Sequence, residues 1–296
     1  MKGHTIKEWL LATRPWSFPA SAMPVIVTIV FVWGQGLLNS WGLGLMALVN
    51  IILVHAAGNV WSDYHDYKKG VDADDTYGVR ILTDKQFTPK EVLALSITLQ
   101  VLAVGMGLLM VYLTGITLLW FGLIGIALSL LYPPLKYAAL GDLVIMACYS
   151  VLPMLGTTFI CSGEIIPKVL WLAVPVGSIT VAILHVNNAR DIETDTRAGI
   201  QTFAILTGRQ TAIKVYLFEL LLPYLWLLAT VLLGNVSPWT LLTLITLPLA
   251  LKNCKQMLSC KTEGIKAIAK LDEATAQLQL AFSLMLALGL TLEALT

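Results

Sequence analysis

A short acidic segment, NVWSDYHDYKKGVDADD (residues 59–75), directly follows a long apolar run. Within it, Asn59, Asp63 and Asp66 are spaced i, i+4 and i+7, so on an α-helix they lie on one face. A single cluster of this kind is commonly no more than a solvated helix end. The chain, however, contains a second one.

The second segment, NNARDIETDTRAG (residues 187–199), also follows an apolar run. Asn188, Asp191 and Asp195 are spaced i, i+3 and i+7, which again places a carboxamide and two carboxylates on one helical face. Two such faces would repel each other unless a cation lay between them. The duplication therefore favours a cation-binding site over two solvated helix ends.

The ligand atoms of both faces are oxygens, which favours Mg²⁺ held by carboxylates together with substrate phosphates. Unneutralised carboxylates near a bilayer are costly, at about 2.5–3.5 kcal/mol each at the centre of a membrane helix. We therefore predict a Mg²⁺ site, with its four aspartates as the catalytic residues. The predicted ligands are Asn59, Asp63, Asp66, Asn188, Asp191 and Asp195.

Basic residues surround both segments, and all of them fall at the same predicted membrane face. They are Lys68, Lys69, Arg80, Lys136, Arg190 and Arg197. Metal-bearing acidic helices ringed by Lys and Arg suit a diphosphate, because the metal bridges its oxygens and the basic side chains bind the remaining charge. The nucleotide motifs GxxxxGK[ST] and GxGxxG are absent. The sequence therefore favours a lipid diphosphate over a nucleotide.

Three further residues are candidates to orient the metal ligands from outside. His55 and His185 precede the two motifs by about one helical turn. Asp72 follows Gly70, where the helical spacing ends, and it could equally be a solvated loop residue. A histidine near a helix end more commonly bonds only to a neighbour, so both interpretations stay open.

Membrane helices are the elements that must position these residues. Of the 296 residues, 57% are hydrophobic and 12% are charged, whereas soluble domains have about 25% charged residues. The mean hydropathy is +0.79. Nine apolar segments approach the roughly 20 residues that a membrane helix needs. These segments are 18–38, 41–60, 91–113, 115–132, 141–161, 167–186, 211–233, 238–251 and 274–296.

We therefore predict an all-α polytopic membrane protein that forms a single domain over residues 1–296. Nine transmembrane helices would surround a central cavity, with the two acidic motifs at its cytoplasmic mouth. If the N-terminus is in the cytoplasm, 18 of the 19 Lys and Arg residues lie in cytoplasmic segments, and Lys168 lies on the opposite side. The positive-inside rule then predicts a cytoplasmic N-terminus and an external C-terminus.

Other classes of site find little support in the sequence. The net charge of +1 is uninformative about nucleic-acid binding, but the sequence has no basic patch with interleaved aromatic residues, which argues against it. The N-terminal segment does not resemble a cleaved signal peptide, because Arg14 interrupts its apolar stretch. The cysteines show no CxxC spacing, so we predict structural thiols and no disulfide. They are Cys148, Cys161, Cys254 and Cys260.

The two acidic segments resemble the Asp-rich motifs of the UbiA-type intramembrane prenyltransferases. Similar segments are spread along the chain: RPWSFPASAMP (14–24), DYHDYKKGVD (63–72), GVRILTDKQFTPKEV (78–92), YPPLKYAALGD (132–142), NNARDIETDTRAG (187–199) and LDEATAQLQLAF (271–282). Within the family, the resemblance is greatest to the enzymes that prenylate 1,4-dihydroxy-2-naphthoate in menaquinone biosynthesis. It implies a nine-helix, Mg²⁺-dependent enzyme that transfers a polyprenyl group from its diphosphate to a small aromatic acceptor, in a bacterial inner membrane.

By this resemblance, the six oxygen ligands fall on the family's metal-binding positions. The diphosphate would leave first, and an electron-rich acceptor carbon would attack the allylic carbocation in a water-poor cavity. Asp66, His55 and His185 are candidates to accept a ring proton. The predicted diphosphate-binding residues are Arg14, Lys69, Arg80, Tyr132, Lys136 and Arg190, with Lys69 chosen from the charge pattern alone.

Three departures from the naphthoate enzymes leave the acceptor open. Ser62 stands where those enzymes usually have Asn, Ile200 stands where they usually have the Lys of GK-x-T, and Ala138 stands where Arg is common. Other acceptors, namely 4-hydroxybenzoate, homogentisate, haem or a glycerol-phosphate lipid, remain alternatives. A membrane transporter and a non-catalytic lipid-binding scaffold are alternatives of a different class.

Overall fold

The computed structural model describes residues 4–71, 77 and 81–296, so Asp72 and Arg80 lie outside the described residues. The described residues form thirteen α-helices joined by short 3₁₀ and π segments, and none of them belongs to a named strand. The helices are α1 (Ile6–Ala12), α2 (Pro19–Gly34), α3 (Trp41–Lys69), α4 (Pro89–Thr114), α5 (Thr117–Lys136), α6 (Gly141–Met146), α7 (Leu152–Ser162), α8 (Leu170–Arg190), α9 (Ile192–Arg197), α10 (Phe203–Thr207), α11 (Arg209–Leu232), α12 (Leu247–Glu263) and α13 (Leu271–Leu295).

Eight helical segments of the described chain are long and apolar enough to cross a membrane, and they match eight of the nine predicted segments. The remaining segment, 238–251, begins as a 3₁₀ helix over Pro238–Thr246 and continues into α12. A 3₁₀ helix rises about 2.0 Å per residue and an α-helix about 1.5 Å, so this segment extends about 25 Å. That length approaches a hydrocarbon core of about 30 Å. The all-α polytopic fold is confirmed, and the short eighth segment is stretched by its 3₁₀ geometry.

The spans differ in how much of their surface the protein covers. In α8, 78% of the apolar window is buried, compared with 17% in α4 and 11% in α5. α8 packs against α2, α11 and α13 near the centre of the bundle. α4 and α5 instead expose Leu, Ile and Trp side chains, as expected for helices that face lipid. The helix that leads into the second acidic motif is therefore the most deeply buried of the eight candidate spans.

The first acidic motif occupies the last turns of α3. Gly70 follows it with a left-handed φ of 76°, and its N–H donates to the carbonyls of Asp66 and Tyr67. Glycine adopts this conformation without a steric penalty, which is why it ends helices so often. The structure confirms that Asn59, Asp63 and Asp66 share one helix, and that the helix ends just after them.

The second acidic motif lies across a junction between two helices. Asn188 is in α8, Asp191 lies between α8 and α9, and Asp195 is in α9. Asp191 N–H donates to the Asn187 carbonyl at 2.9 Å, and Asp195 N–H donates to the Asp191 carbonyl at 2.9 Å. These i to i−4 bonds preserve the helical pitch through the junction. The single continuous helix that the spacing predicts is therefore interrupted, while its face is largely kept.

The N-terminal segment brings Arg14 towards α3. α1 begins with a capping box in which the Thr5 side chain and Glu8 bond reciprocally to each other's backbone. After α1 ends, Arg14 adopts a left-handed φ of 58°, and a 3₁₀ turn over Pro15–Ser17 follows. A left-handed residue other than glycine is uncommon. Here it reverses the chain, so the Arg14 side chain reaches the first acidic motif.

Candidate active site

A cavity of about 920 Å³ lies between the membrane helices. Helices α2 to α9 and α13 contribute to its wall, as does the π segment Ala147–Val151 between α6 and α7. Its lining is polar where α3 and α8 end, and mostly apolar elsewhere. Five of the six predicted metal ligands line it: Asn59, Asp66, Asn188, Asp191 and Asp195. The structure thus gathers both acidic motifs at one cavity.

Asn59 is held by two hydrogen bonds from its side-chain nitrogen. This nitrogen donates to the Thr13 carbonyl and to Ser17 Oγ, each at 3.0 Å. The carboxamide has two N–H donors, and both have partners here. Its oxygen is therefore the atom that Asn59 can offer to a cation.

Asp66 is surrounded by three donors. Lys136 Nζ lies 3.1 Å from Asp66 Oδ2, and the Tyr137 hydroxyl donates to Oδ1 at 2.7 Å. The Ser62 hydroxyl donates to Oδ2 at 3.3 Å from the preceding turn of α3. Asp66 is buried, and these contacts compensate its charge.

Asp63, the sixth predicted ligand, forms an ion pair with Arg14. Only 2% of Asp63 is exposed, so its charge depends on nearby partners. Arg14 also lines the cavity. The left-handed turn at Arg14 therefore brings a second cation to the first motif, in addition to Lys136.

Arg190 serves the second motif in a corresponding way. Its Nε and Nη2 atoms donate to the two oxygens of Asp191 at 2.8 and 2.9 Å, which is a bidentate arrangement. Its Nη1 atom donates to Asp272 Oδ2 and to the Ala269 carbonyl, each at 3.3 Å. The guanidinium carbon also lies 5.1 Å from the centre of the Tyr77 ring. Arg190 is thus clamped between α8 and α13.

Asp195 of the second motif lies close enough to the first motif for Asp66 to affect its pKa. Burial raises the pKa of its carboxyl to about 7, the neighbouring Lys136 opposes that rise, and the carboxylates of Asp191 and Asp66 add to it. Lys136 therefore acts on acids from both motifs. A divalent cation at this place would relieve the same repulsion.

His55 is linked to the first motif through a serine. Its Nε2 atom lies 3.3 Å from Ser17 Oγ, and its Nδ1 atom lies 2.8 Å from Ser21 Oγ. Ser17 in turn accepts the hydrogen bond from Asn59. The edge of the His55 ring also meets the ring of Tyr149 at 4.7 Å. His55 is therefore placed to orient Asn59 indirectly.

His185 lies in a different polar cluster. Its Nδ1 atom is 3.3 Å from Asp142 Oδ2 and 3.4 Å from Glu219 Oε1. These two acids lie on α6 and α11, and neither they nor His185 is among the described residues that line the cavity. The three-residue spacing from Asn188 suggests a shared stripe, but the neighbours of His185 are not the second motif.

The predicted diphosphate-binding residues divide into two groups. Lys69 is exposed at the end of α3, and it is not among the described residues that line the cavity. Arg80 lies outside the described residues, as does Asp72. The other four do line the cavity: Arg14, Tyr132, Lys136 and Arg190.

Three residues of the site have no assigned role at the sequence level. Ser17 bridges Asn59 and His55, Tyr137 donates to an aspartate, and Asp272 pairs with Arg190. Each lies in a segment that carries the family resemblance: RPWSFPASAMP, YPPLKYAALGD and LDEATAQLQLAF. Membership of such a segment was the available signal, but the partner of each residue is distant in sequence.

The site as a whole combines hard oxygen ligands with fixed cations at the polar end of an apolar cavity. The six motif residues offer only carboxylate and carboxamide oxygens, which fits Mg²⁺ better than a softer metal. In the described structure the acids are paired with Arg14, Lys136 and Arg190. An incoming metal-bound diphosphate could exchange partners with these ion pairs, since it brings both the cation and the anion.

Comparison with known proteins identifies relatives along almost the whole chain. The sequence profile of the UbiA prenyltransferase family matches residues 21–291. The UbiA prenyltransferase domain-containing protein 1 of Mus musculus is 35% identical over 301 residues, which covers 98% of this chain and 85% of the mouse protein. The profile match and this identity both support common ancestry.

Solved structures share the fold at lower sequence identity. A UbiA homologue from Aeropyrum pernix K1, in its apo form, superposes with a TM-score of 0.68 at 14% identity and covers 98% of this chain and 99% of its own. A UbiA homologue from Archaeoglobus fulgidus bound to GPP and Mg²⁺ superposes with a TM-score of 0.65 at 14% identity, over 94% of this chain and 99% of its own. Profile, relative and fold agree: the chain belongs to the UbiA prenyltransferase family and is an enzyme of the prenyltransferase class.

Proposed function

We propose that this protein transfers a prenyl group from a prenyl diphosphate to an acceptor in a Mg²⁺-dependent reaction. The observation on which the proposal depends is the convergence of both acidic motifs, with Arg14, Lys136 and Arg190, at the polar end of an otherwise apolar cavity. The homologue with the same fold that binds GPP and Mg²⁺ supports it. A transporter or a non-catalytic scaffold fits less well, because the family is one of prenyltransferases.

The two motifs would hold the metal and, through it, the diphosphate. The residues that would hold it are Asn59, Asp63, Asp66, Asn188, Asp191 and Asp195. Bound Mg²⁺ supplies positive charge that stabilises the departing diphosphate. Lys136 and Arg190 already lie against Asp66 and Asp191, so they can donate to diphosphate oxygens with little rearrangement.

The C–O bond of the allylic diphosphate breaks, and its electron pair leaves with the diphosphate. The rings of Tyr132 and Tyr149 line the cavity and can stabilise the resulting allylic cation by cation–π contact. The apolar wall also excludes water, which would otherwise capture the cation. The electron-rich acceptor carbon then forms the new C–C bond, and the ring becomes aromatic again by releasing the group on that carbon, which is a proton or, in 1,4-dihydroxy-2-naphthoate, the carboxylate as CO₂.

The prenyl chain would occupy the apolar part of the cavity. Gly107 of α4 and Gly122 and Gly125 of α5 line this part. A β-carbon built on Gly122 or Gly125 meets no atom within 4 Å, so these positions leave open space for a hydrocarbon. The depth of this space would set the accepted prenyl length.

The acceptor has two candidates. The family resemblance favours 1,4-dihydroxy-2-naphthoate and hence menaquinone biosynthesis. Ala138 and Ile200, however, occupy the positions at which naphthoate enzymes commonly carry Arg and Lys, so both positions are uncharged here. An isolated parallel bridge between Ala138 and Gln201 brings the two segments together. A carboxylate would lack its counter-charge at these positions. This observation favours the second candidate, an electron-rich aromatic acceptor without a carboxylate.

A matched pair of acceptors tests this choice. The purified protein would be given Mg²⁺, geranyl diphosphate and either 1,4-dihydroxy-2-naphthoate or 1,4-naphthalenediol, and the product would be identified by its mass. Preference for the diol would support an uncharged acceptor, and preference for the naphthoate would support the first candidate. If neither acceptor nor 4-hydroxybenzoate nor homogentisate is prenylated, the aromatic-acceptor proposal fails.

The chain is an integral membrane protein, and we propose that residues 1–296 form one catalytic unit. Residues from Arg14 to Ala276 line a single cavity, which supports that view. With nine crossings, the N-terminus would lie in the cytoplasm and the C-terminus outside. A reporter fused after Thr296 should therefore be external, and a cytoplasmic reporter would indicate an even number of crossings. The mouse relative lends no support to the bacterial membrane that the resemblance implies.

A further inference from the structure

A second polar cluster lies where α6, α8 and α11 pack together. It consists of Asp142, His185 and Glu219, which we call the α6–α8–α11 cluster. One ligand atom from each residue lies within 4.8 Å of the other two. His185 is completely buried, Glu219 is 9% exposed, and none of the three is among the described residues that line the cavity.

The distances inside the cluster are unusual for hydrogen bonds. Nδ1 of His185 is 3.3 Å from Asp142 Oδ2 and 3.4 Å from Glu219 Oε1. Most N–H···O bonds measure about 2.7–3.2 Å. Both ring nitrogens of His185, Oδ1 of Asp142 and Oε2 of Glu219 have no hydrogen-bond partner. Buried polar atoms of this kind usually have a partner, so their number here needs an explanation.

A metal ion explains the same distances. Two ligands that each lie about 2.1 Å from a tetrahedrally coordinated Zn²⁺ are separated by about 3.4 Å. The two contacts of His185 Nδ1 match that separation, and the two carboxylate oxygens, which lie within 4.8 Å of each other, would complete the set by drawing together on binding. Of the atoms that lack partners, Nδ1 of His185 is the one that this metal would bind, while Oδ1 of Asp142 and Oε2 of Glu219 belong to the two carboxylates whose other oxygens would be its ligands.

The charges of the cluster also favour a divalent cation. The charged groups that act on Glu219 are His185 and Asp142, and no Lys or Arg acts on it among the described residues. With a neutral imidazole and both carboxylates ionised, the cluster has two negative charges, one on the buried Glu219 and one on Asp142, whose side chain is 22% exposed. A proton on the imidazole would leave one charge uncompensated, whereas a divalent cation would leave none. Uncompensated buried charge is strongly destabilising.

We propose that Asp142, His185 and Glu219 bind Zn²⁺, at a structural site separate from the two acidic motifs. One imidazole nitrogen and two carboxylate oxygens are ligands that Zn²⁺ accepts, and a water or a second carboxylate oxygen completes the tetrahedron. The metal joins α6, α8 and α11. Because Asn188 follows His185 by about one turn, the metal also steadies the helix that carries the second acidic motif. The proposal does not depend on which acceptor the enzyme uses.

Metal content tests the proposal directly. The full chain in detergent would be stripped with a chelator, loaded with Zn²⁺ in excess Mg²⁺ and desalted, and its bound zinc would be measured by mass spectrometry. We expect about one zinc per chain, and at least a roughly fivefold loss in His185→Gln and in Glu219→Gln. Glu193→Gln removes an exposed carboxylate that pairs with Arg209, and it should retain the zinc, as should Asp191→Asn.

Cobalt gives a second readout that does not depend on a variant folding. Co²⁺ added to the stripped wild-type chain should show the intense visible absorption of four-coordinate cobalt. Wild-type zinc no higher than that of Glu219→Gln would overturn the proposal. So would loss of zinc in Asp191→Asn, which would place the metal in the acidic motifs, or a weak six-coordinate Co²⁺ spectrum.

Discussion

Replacing Lys136 by Met tests whether this lysine binds the diphosphate or only lies near it. Lys136 Nζ is 3.1 Å from Asp66 Oδ2, and its side chain is 16% exposed. A hydrogen bond to a charged group contributes about 1.5–3 kcal/mol. In the reaction, Lys136 would donate such a hydrogen bond to a diphosphate oxygen. Since about 1.36 kcal/mol corresponds to a factor of ten in rate, the loss of that bond in Lys136→Met predicts a roughly 10- to 150-fold fall in kcat/KM.

The same substitution should have the opposite effect on the metal. Lys136 competes with a cation for Asp66 and lies near Asp195, so its removal frees acidic ligands. Half-maximal activation should then need less Mg²⁺ than in the wild type, even though turnover is slower. A lysine with a purely structural role would not produce these two shifts in opposite directions.

Lys69→Met is the matched control. Lys69 is exposed and does not line the cavity, although its place beside the first motif predicts diphosphate binding at the sequence level. We expect kcat/KM to change by about threefold or less, since exposed charges contribute little. The assay is steady-state prenyl transfer in detergent at several Mg²⁺ concentrations. Equal losses in both variants, or near-normal activity in Lys136→Met, would refute the reasoning.

Three further substitutions test other parts of the site and fold. Tyr137→Phe removes the 2.7 Å hydrogen bond to Asp66 and should lower kcat/KM by about tenfold at saturating Mg²⁺. Gly125→Leu should shorten the longest prenyl diphosphate that is accepted, whereas Gly105→Leu, which is equally open but outside the lining, should not. In Gly289→Ala, the new β-carbon would lie 2.3 Å from a carbonyl oxygen of the 3₁₀ segment, so thermal unfolding should show a loss of about 1–3 kcal/mol.

Each of these substitutions has an outcome that would contradict it. Normal kinetics in Tyr137→Phe would mean that its hydroxyl does not help to position the aspartate. An identical chain-length limit in Gly125→Leu and Gly105→Leu would place the prenyl chain elsewhere. An unchanged melting temperature in Gly289→Ala would contradict the close packing of the 3₁₀ segment on α13.

Local rules were sufficient to predict the first acidic motif. Residues four and three apart share a helical face, and a glycine in a left-handed conformation ends a helix, so the arrangement of Asn59, Asp63, Asp66 and Gly70 follows from spacing alone. Apolar segment length likewise predicted eight of the spans. The remaining segment, 238–251, is less regular because it begins as a 3₁₀ helix, which extends further per residue than an α-helix.

Long-range pairing could not be predicted in the same way. Arg14 and Asp63 are 49 residues apart, and Arg190 reaches Asp272 across 82 residues. Such contacts depend on how the helices pack, and no local spacing encodes that. His185 shows the limit most clearly, because its distance from the second motif along the chain suggests a shared role, whereas α6 and α11 supply its neighbours.

The most direct measurement is prenyl transfer by purified wild-type, Asp63→Asn and Asp191→Asn proteins, with product detected by mass. Both variants remove one carboxylate from a motif and keep its shape. We predict that excess EDTA abolishes wild-type transfer, that Mg²⁺ restores it, and that both variants insert into the membrane but do not transfer the prenyl group. Near-wild-type turnover in either variant, or transfer that persists in excess chelator, would contradict a shared Mg²⁺ site.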